Sequence, residues 1–104
     1  MKTANANQPI YFTHREHLTL LYIVRTVRKD AIKRRNKPEA KLMTELSSQL
    51  LDYLVYSEGT YVELDRMVIY NLQVCVERYI DHCVNTRNND DYMVAVSIAD
   101  KLTA

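Results

Sequence analysis

The sequence predicts an all-α protein built as a small four-helix bundle-like domain. One glycine and two prolines among 104 residues are too few for the turns of an all-β fold or for the glycine-rich loops of nucleotide-binding α/β folds. Apolar residues recur instead at helical spacing in four stretches. The length suits one domain with a modest core. We therefore expect a flexible N-terminal segment, residues 1–12, followed by a single helical domain, residues 13–104.

The first predicted helix begins at a capping box and ends before a proline. Thr13 is the expected N-cap, and Glu16, three residues later, completes the box. Pro38 disfavours helical geometry in the residue before it, so the helix should end at about Arg35. Its buried side should carry a stripe of apolar residues, namely Leu20, Ile23, Val24, Val27 and Ala31.

The second predicted helix, residues 38–56, has one apolar side and one polar side. A turn over residues 57–60 follows it and contains the only glycine of the chain. Thr60 and Glu63 could form a second capping box, which predicts a third helix over residues 61–84. The apolar stripe of the second helix comprises Leu42, Met43, Leu46, Leu50, Tyr53 and Leu54.

The third predicted helix is apolar on two sides. A helix of this kind is central in its fold or is shared with a second subunit. Because a chain of this length has few helices to cover both sides, we predict a homodimer formed through the narrower stripe, Met67, Tyr70 and Val74. A buried central helix in a monomer is the alternative. The main stripe comprises Tyr61, Leu64, Val68, Leu72, Cys75, Val76, Tyr79 and Cys83.

The last predicted element covers residues 90–103. Asn89 could cap a helix there, with Asp90 and Asp91 suited to its N-terminus. Residues 92–98 are also β-branched enough for a strand, although a lone strand would lack a partner. Neither an internal repeat nor a low-complexity tract is apparent along the chain.

The charges are unevenly distributed along the sequence. Residues 1–41 contain ten of the 14 Lys/Arg residues and three of the 13 Asp/Glu residues, so they carry +7 and the remainder carries −6. Such a separation creates a local patch that attracts phosphate or an acidic partner. Eight cations concentrate at the end of the first helix and the start of the second: Arg25, Arg28, Lys29, Lys33, Arg34, Arg35, Lys37 and Lys41.

This basic helix end, residues 25–41, is the candidate binding site, with Tyr22 among the cations as a contact residue. Cations near a turn can meet successive phosphates and release counterions. An acidic protein surface is the second candidate partner. A solvated face is the third interpretation, because cations suit the C-terminal end of a helix dipole. A helix-turn-helix around Gly59 is disfavoured, since the helix after it is acidic and phosphate would repel it.

No pattern of residues predicts catalysis, a cofactor or a metal site. His14 and His17 do not have the spacing of a zinc-binding helix, and we expect both to be solvated. Cys75 and Cys83 lie about 12 Å apart on one helix, too far for a disulfide, and fit buried reduced thiols. The paired carboxylates lie on a polar helix side, where charges normally stay solvated, whereas acid–base catalysis needs a pocket. We therefore predict a protein that is not an enzyme and has no small-molecule substrate.

The sequence thus predicts a small cytoplasmic regulatory protein that binds nucleic acid or transcription machinery through residues 25–41. Reduced thiols fit the cytoplasm, and no apolar run is long enough to cross a membrane. The alternative is an antagonist or adaptor that binds a partner protein through an apolar helix face, without contacting nucleic acid.

Overall fold

The computed structural model describes residues 8–52 and 60–103. These residues form β1 (Gln8–Phe12), α1 (His14–Lys33), α2 (Lys37–Asp52), β2 (Thr60–Leu64), α3 (Arg66–Thr86) and α4 (Asn89–Thr103). The predicted all-α fold with four helices is confirmed, and residues 90–103 are helical. The described residues also contain a short two-stranded ribbon that the sequence did not predict. Tyr53 and Leu54 of the expected α2 stripe lie outside the described residues.

The helices pack by the apolar stripes that the sequence predicts. All five stripe residues of α1 are buried, and all of them except Ala31 belong to one core with Met43, Leu46 and Leu50 of α2. From the second half of the chain, Leu72 and Val76 of α3 join the same core. The capping box of α1 is present: the Glu16 amide donates to Thr13 Oγ1 at 3.1 Å, and the Thr13 amide donates to Glu16 Oε1 at 2.8 Å.

The ribbon corrects two expectations. β1 and β2 pair antiparallel with Ile10 opposite Val62, so residues 8–12 are a strand where we expected a flexible segment, and residues 60–64 are a strand where we expected the third helix. Alternate side chains enter the core: Phe12, Val62 and Leu64 are buried, whereas Tyr61 is 63% exposed instead of lying in the core. Each strand is too short for its residue pattern to identify it in the sequence. Its pairing partner is also distant in sequence, so local periodicity could not predict the ribbon.

The starts of α3 and α4 differ from expectation. Thr60 and Glu63 cannot form a capping box within a strand, and Asp65 caps α3 by accepting a hydrogen bond from the Val68 amide at 2.9 Å. The start of α4 is capped one residue earlier than Asn89. The side chain of Asn88 accepts a hydrogen bond from the Asp91 amide at 3.2 Å.

The two halves of the chain have the same architecture. The expectation from sequence that the chain has no internal repeat was therefore wrong. Each half runs strand, helix, helix, and equivalent residues are 52 positions apart. Thr13 and Asp65 cap the first helix of each half. Each first helix is followed by an arginine in the left-handed region, Arg35 at φ 59° and Arg87 at φ 57°. Buried residues match as well: Phe12 with Leu64, Leu20 with Leu72, Val24 with Val76, Ala31 with Cys83, Leu46 with Ile98, and Leu50 with Leu102.

Within the ribbon, the strands of the two halves are related by an approximate local twofold axis. Ile10 and Val62 occupy equivalent positions and face each other, and the register is unchanged when the two halves are exchanged. Few residues are identical between the halves, because the core requires only apolar side chains of suitable size at these positions. The repeat is therefore visible in the fold and not in the residue identities.

Candidate nucleic-acid interface

A basic groove of about 500 Å³ lies between α1 and α2. Tyr22, Arg25 and Lys29 line it from exposed positions of α1, and Arg28 lines it from a half-buried one. Its other lining residues are neutral: Thr26 of α1, and Thr44 and Ser47 of α2. The groove is thus lined by four of the predicted site residues, and none of the described residues that line it carries a carboxylate.

Thr44, which was not among the predicted site residues, holds one of the cations in place. Arg28 Nε donates to Thr44 Oγ1 at 2.8 Å, and the Thr44 hydroxyl donates in turn to the Ala40 carbonyl at 2.9 Å. This hydrogen bond gives the guanidinium a fixed direction. Because Thr44 and Arg28 are on different helices, no local pattern indicates this contact.

Arg34 is already neutralised by acidic neighbours. Its Nε lies 2.8 Å from Asp30 Oδ2, and its Nη2 lies 3.1 Å from Glu39 Oε2. The hydrogen bonds from Asp30 and then Glu39 raise the pKa of the Arg34 guanidinium. Although Arg34 is exposed, a phosphate approaching it would compete with two carboxylates, so we expect this residue to stabilise the α1–α2 turn more than it attracts an anion.

The other predicted cations lie exposed around the same turn. Lys33 is four residues beyond Lys29 on α1, Arg35 lies in the turn, and Lys37 and Lys41 follow on the first turns of α2. Within residues 8–52 and 60–103, none of these four makes an ion pair. Two rows of cations, one on each helix, therefore extend from the groove to the turn.

The two repeats carry charges of opposite sign on equivalent helix faces. Arg25 and Lys29 on α1 correspond to Glu77 and Asp81 on α3, and Lys33 corresponds to Asn85. Equivalent helix faces therefore attract opposite ligands. The basic face is confined to the first repeat, and the equivalent face of the second repeat would repel phosphate.

The predicted dimer or partner face exposes two of its three residues. Met67 is 68% exposed, Tyr70 is 61% exposed, and Val74 is half-buried beside them. The equivalent positions on α1 also expose apolar area, since Leu18 is 44% and Tyr22 is 58% exposed. This apolar stripe is separate from the buried side of α3, where Cys75 and Cys83 are free buried thiols.

One of the two histidines near the start of α1 is not solvated, contrary to the expectation from sequence. His17 is 1% exposed, and its Nε2 lies 2.7 Å from the Leu50 carbonyl oxygen. It therefore connects α1 to α2 as a hydrogen-bonded core residue. Over residues 8–52 and 60–103, no three His, Cys, Asp or Glu side chains are grouped as a metal site would require.

A buried polar cluster at the α1–α4 contact was also missed. Glu16, assigned from sequence to capping alone, accepts hydrogen bonds from the Ser97 hydroxyl and the Lys101 ammonium. Burial by itself would raise the pKa of Glu16, but the hydrogen bonds from Lys101, Ser97 and the Thr13 backbone outweigh it, and the pKa is lowered. Lys101 also lies 5.5 Å from the centre of the Tyr11 ring. Ser97 and Lys101 are too far from Glu16 in sequence for spacing to reveal the cluster.

Comparisons with known proteins give no family for this chain: no family model, curated protein or solved structure matches it. Among the helices that the structure describes, none is both long and apolar enough to span a membrane. The candidate function consequently rests on the geometry of the surface alone.

Proposed function

We propose that this protein is a small non-catalytic regulator that binds nucleic acid through the basic groove and the adjoining α1–α2 turn, residues 25–41. The observation that carries the proposal is the composition of the groove. Tyr22 lies beside Arg25, Arg28 and Lys29, and no described lining residue is acidic. Cations that follow a phosphate backbone, combined with an aromatic ring on which a base stacks, are typical of surfaces that bind single-stranded nucleic acid.

The geometry allows several phosphates to be contacted at once. Arg25, Lys29 and Lys33 succeed one another at intervals of four residues, which is about 6 Å along a helix axis. This interval is comparable to the spacing of phosphates in an extended strand. Three or four such contacts would give a slope of roughly −2 to −3 in a plot of log affinity against log salt concentration.

A charge reversal with a matched control tests this proposal. Arg25→Glu introduces a carboxylate into the groove and should weaken binding of a labelled single-stranded oligonucleotide at least tenfold at 50 mM salt. Arg15→Glu makes the same change of charge on an exposed residue of α1 outside the groove and should reduce affinity far less. Fluorescence anisotropy over a range of salt concentrations measures both. Equal losses for the two variants would contradict a site in the groove.

The cations around the α1–α2 turn should contribute unequally to binding. Lys37→Gln should reduce the salt slope by about one contact, whereas Arg34→Gln should leave it nearly unchanged, because Arg34 is paired with Asp30 and Glu39. The same titration therefore distinguishes an ordered phosphate path from a general attraction by net charge. An acidic protein surface, the other candidate partner for the cations, would give no binding to the oligonucleotide.

A second candidate function is binding of a partner protein, including a second copy of this chain, through the face formed by Met67, Tyr70 and Val74. The exposed apolar area of Met67 and Tyr70 favours it. Met67→Glu should abolish such an association while the helix content stays unchanged. Sedimentation velocity over a range of concentrations measures the homodimer directly. A monomer at all concentrations for the unmodified protein would refute the homodimer and leave only a different protein as the partner.

A further inference from the structure

A second cavity, of about 370 Å³, adjoins the basic groove and lies between α1 and α3. Tyr79 and His82 line it from α3, and Val27 and Asp30 line it from the equivalent positions of α1. The cavity is therefore enclosed by corresponding faces of the two repeats. At these equivalent positions the second repeat has the rings of Tyr79 and His82, whereas the first repeat has the aliphatic Val27 and the carboxylate of Asp30.

Three rings form one wall of this cavity. The Tyr79 and His82 rings are stacked, with centroids 6.0 Å apart and planes inclined by 29°. Tyr22 approaches Tyr79 edge-on, with centroids 6.0 Å apart and planes inclined by 76°. The Tyr79 hydroxyl donates to Asp91 Oδ2 at 2.9 Å, which fixes the ring that lies between the other two. This wall is thus formed before any ligand binds.

The remaining surfaces suit a flat molecule with a polar edge. Ile23 and Cys75 are buried apolar residues among the lining. Asp30 and Arg78 supply the polar edge, and both side chains are exposed. Asp30 also pairs with Arg34, and Arg78 lies 3.7 Å from Glu39, so a ligand would share these charged groups with their present partners. A preformed, mostly apolar cavity of a few hundred Å³ with a few convergent polar groups is the usual form of a small-ligand site.

Tyr22 and Thr26 line this cavity and the basic groove alike. A strand whose phosphates lie along Arg25 and Lys29 can therefore pass one of its bases over Tyr22 into the cavity. We propose that the α1–α3 cavity binds one unpaired nucleobase of a single-stranded nucleic acid, stacked on the Tyr22–Tyr79–His82 wall. The inference rests on the proposed nucleic-acid function and specifies the form of its ligand.

The proposal requires the base to be unpaired. In a duplex both faces of each base are stacked on neighbours and its edge is paired, so the base cannot enter a cavity without being extruded. Stacking on an aromatic side chain contributes about 1–3 kcal/mol per base, and 1.4 kcal/mol corresponds to a tenfold change in affinity. Single strands should bind at least tenfold more tightly than duplexes of equal length.

The experiment compares three labelled probes by fluorescence anisotropy at 50 mM salt. They are a 12-nucleotide DNA strand of mixed sequence, an abasic strand with the same phosphates, and the corresponding duplex. We expect the single strand to bind about tenfold more tightly than the abasic strand and the duplex. His82→Ala should remove most of this advantage without changing the affinity for the abasic strand. Met93→Ala, which truncates an exposed side chain of α4 outside both the cavity and the predicted partner face, is the control and should change neither affinity.

Each outcome has a distinct meaning. Equal binding of all three probes by the unmodified protein would overturn the base site and leave the proposed phosphate-binding function intact. A preference for the single strand that survives both His82→Ala and Tyr22→Ala would also overturn the site in this cavity. Absence of binding to every probe would overturn the proposed function, and the base site with it. Circular dichroism of each variant verifies that the helices are retained.

Discussion

Lys101 provides the clearest test of the energetics, because it is the positive partner of a buried carboxylate. Its ammonium donates to Glu16 Oε1 and lies near the Tyr11 and Phe12 rings, so it joins α4 to α1 and β1. The Glu16 side chain is 9% exposed and that of Lys101 is 32% exposed. Lys101→Met retains most of the side-chain volume and removes the charge.

The expected loss of unfolding free energy at pH 7 is about 2–3 kcal/mol. A hydrogen bond to a charged group contributes roughly 1.5–3 kcal/mol, and the cation–π contacts add up to about 1 kcal/mol at a partly exposed site. The residual exposure of Lys101 keeps the total below the roughly 3–5 kcal/mol of a fully buried pair. Urea unfolding followed by circular dichroism measures it, with Lys29→Met as the control for an exposed lysine outside any described ion pair.

The dependence on pH separates the charge interaction from packing. Because the folded-state pKa of Glu16 lies below its ordinary 4.5, the ionised carboxylate stabilises the fold above that pH. The contribution is lost as the pH falls through the lower folded-state pKa. The difference between Lys101→Met and the unmodified protein should therefore narrow below about pH 4. A loss under about 0.5 kcal/mol at pH 7, or one of equal size at pH 7 and pH 3, would refute the argument.

Two further predictions concern the second repeat. Asn88→Ala should lower the unfolding free energy by about 1 kcal/mol because Asn88 caps α4, whereas Asn89→Ala should change it little; thermal unfolding of both variants tests which residue is the cap. Burial raises the pKa of the Cys75 thiol to about 11 and also raises that of Cys83, so neither should react appreciably with a thiol reagent at pH 8 in the folded protein. Both should react within minutes in concentrated urea, and rapid modification of the folded protein would contradict their burial.

The sequence by itself determined the existence of the first three helices and the location of the positive charge, but not the start of α3 or the helical state of residues 90–103. The capping box at Thr13 and the α1 stripe could be predicted because each depends on residues within one or two helical turns. The free thiols of Cys75 and Cys83 followed from their spacing on one helix. The concentration of cations in residues 25–41 is a property of composition alone.

Only the tertiary structure decided which of these residues act together. The ribbon depends on the pairing of Ile10 with Val62, and the repeat depends on matching elements whose residues have diverged. Arg34 is neutralised and Arg28 is oriented by contacts formed when α2 folds back on α1. Such contacts join residues that are distant in sequence or on different elements, so local periodicity carries no signal of them. The fold thereby brings part of the predicted basic segment to a groove beside Tyr22, and places an aromatic cavity next to that groove on the same helix.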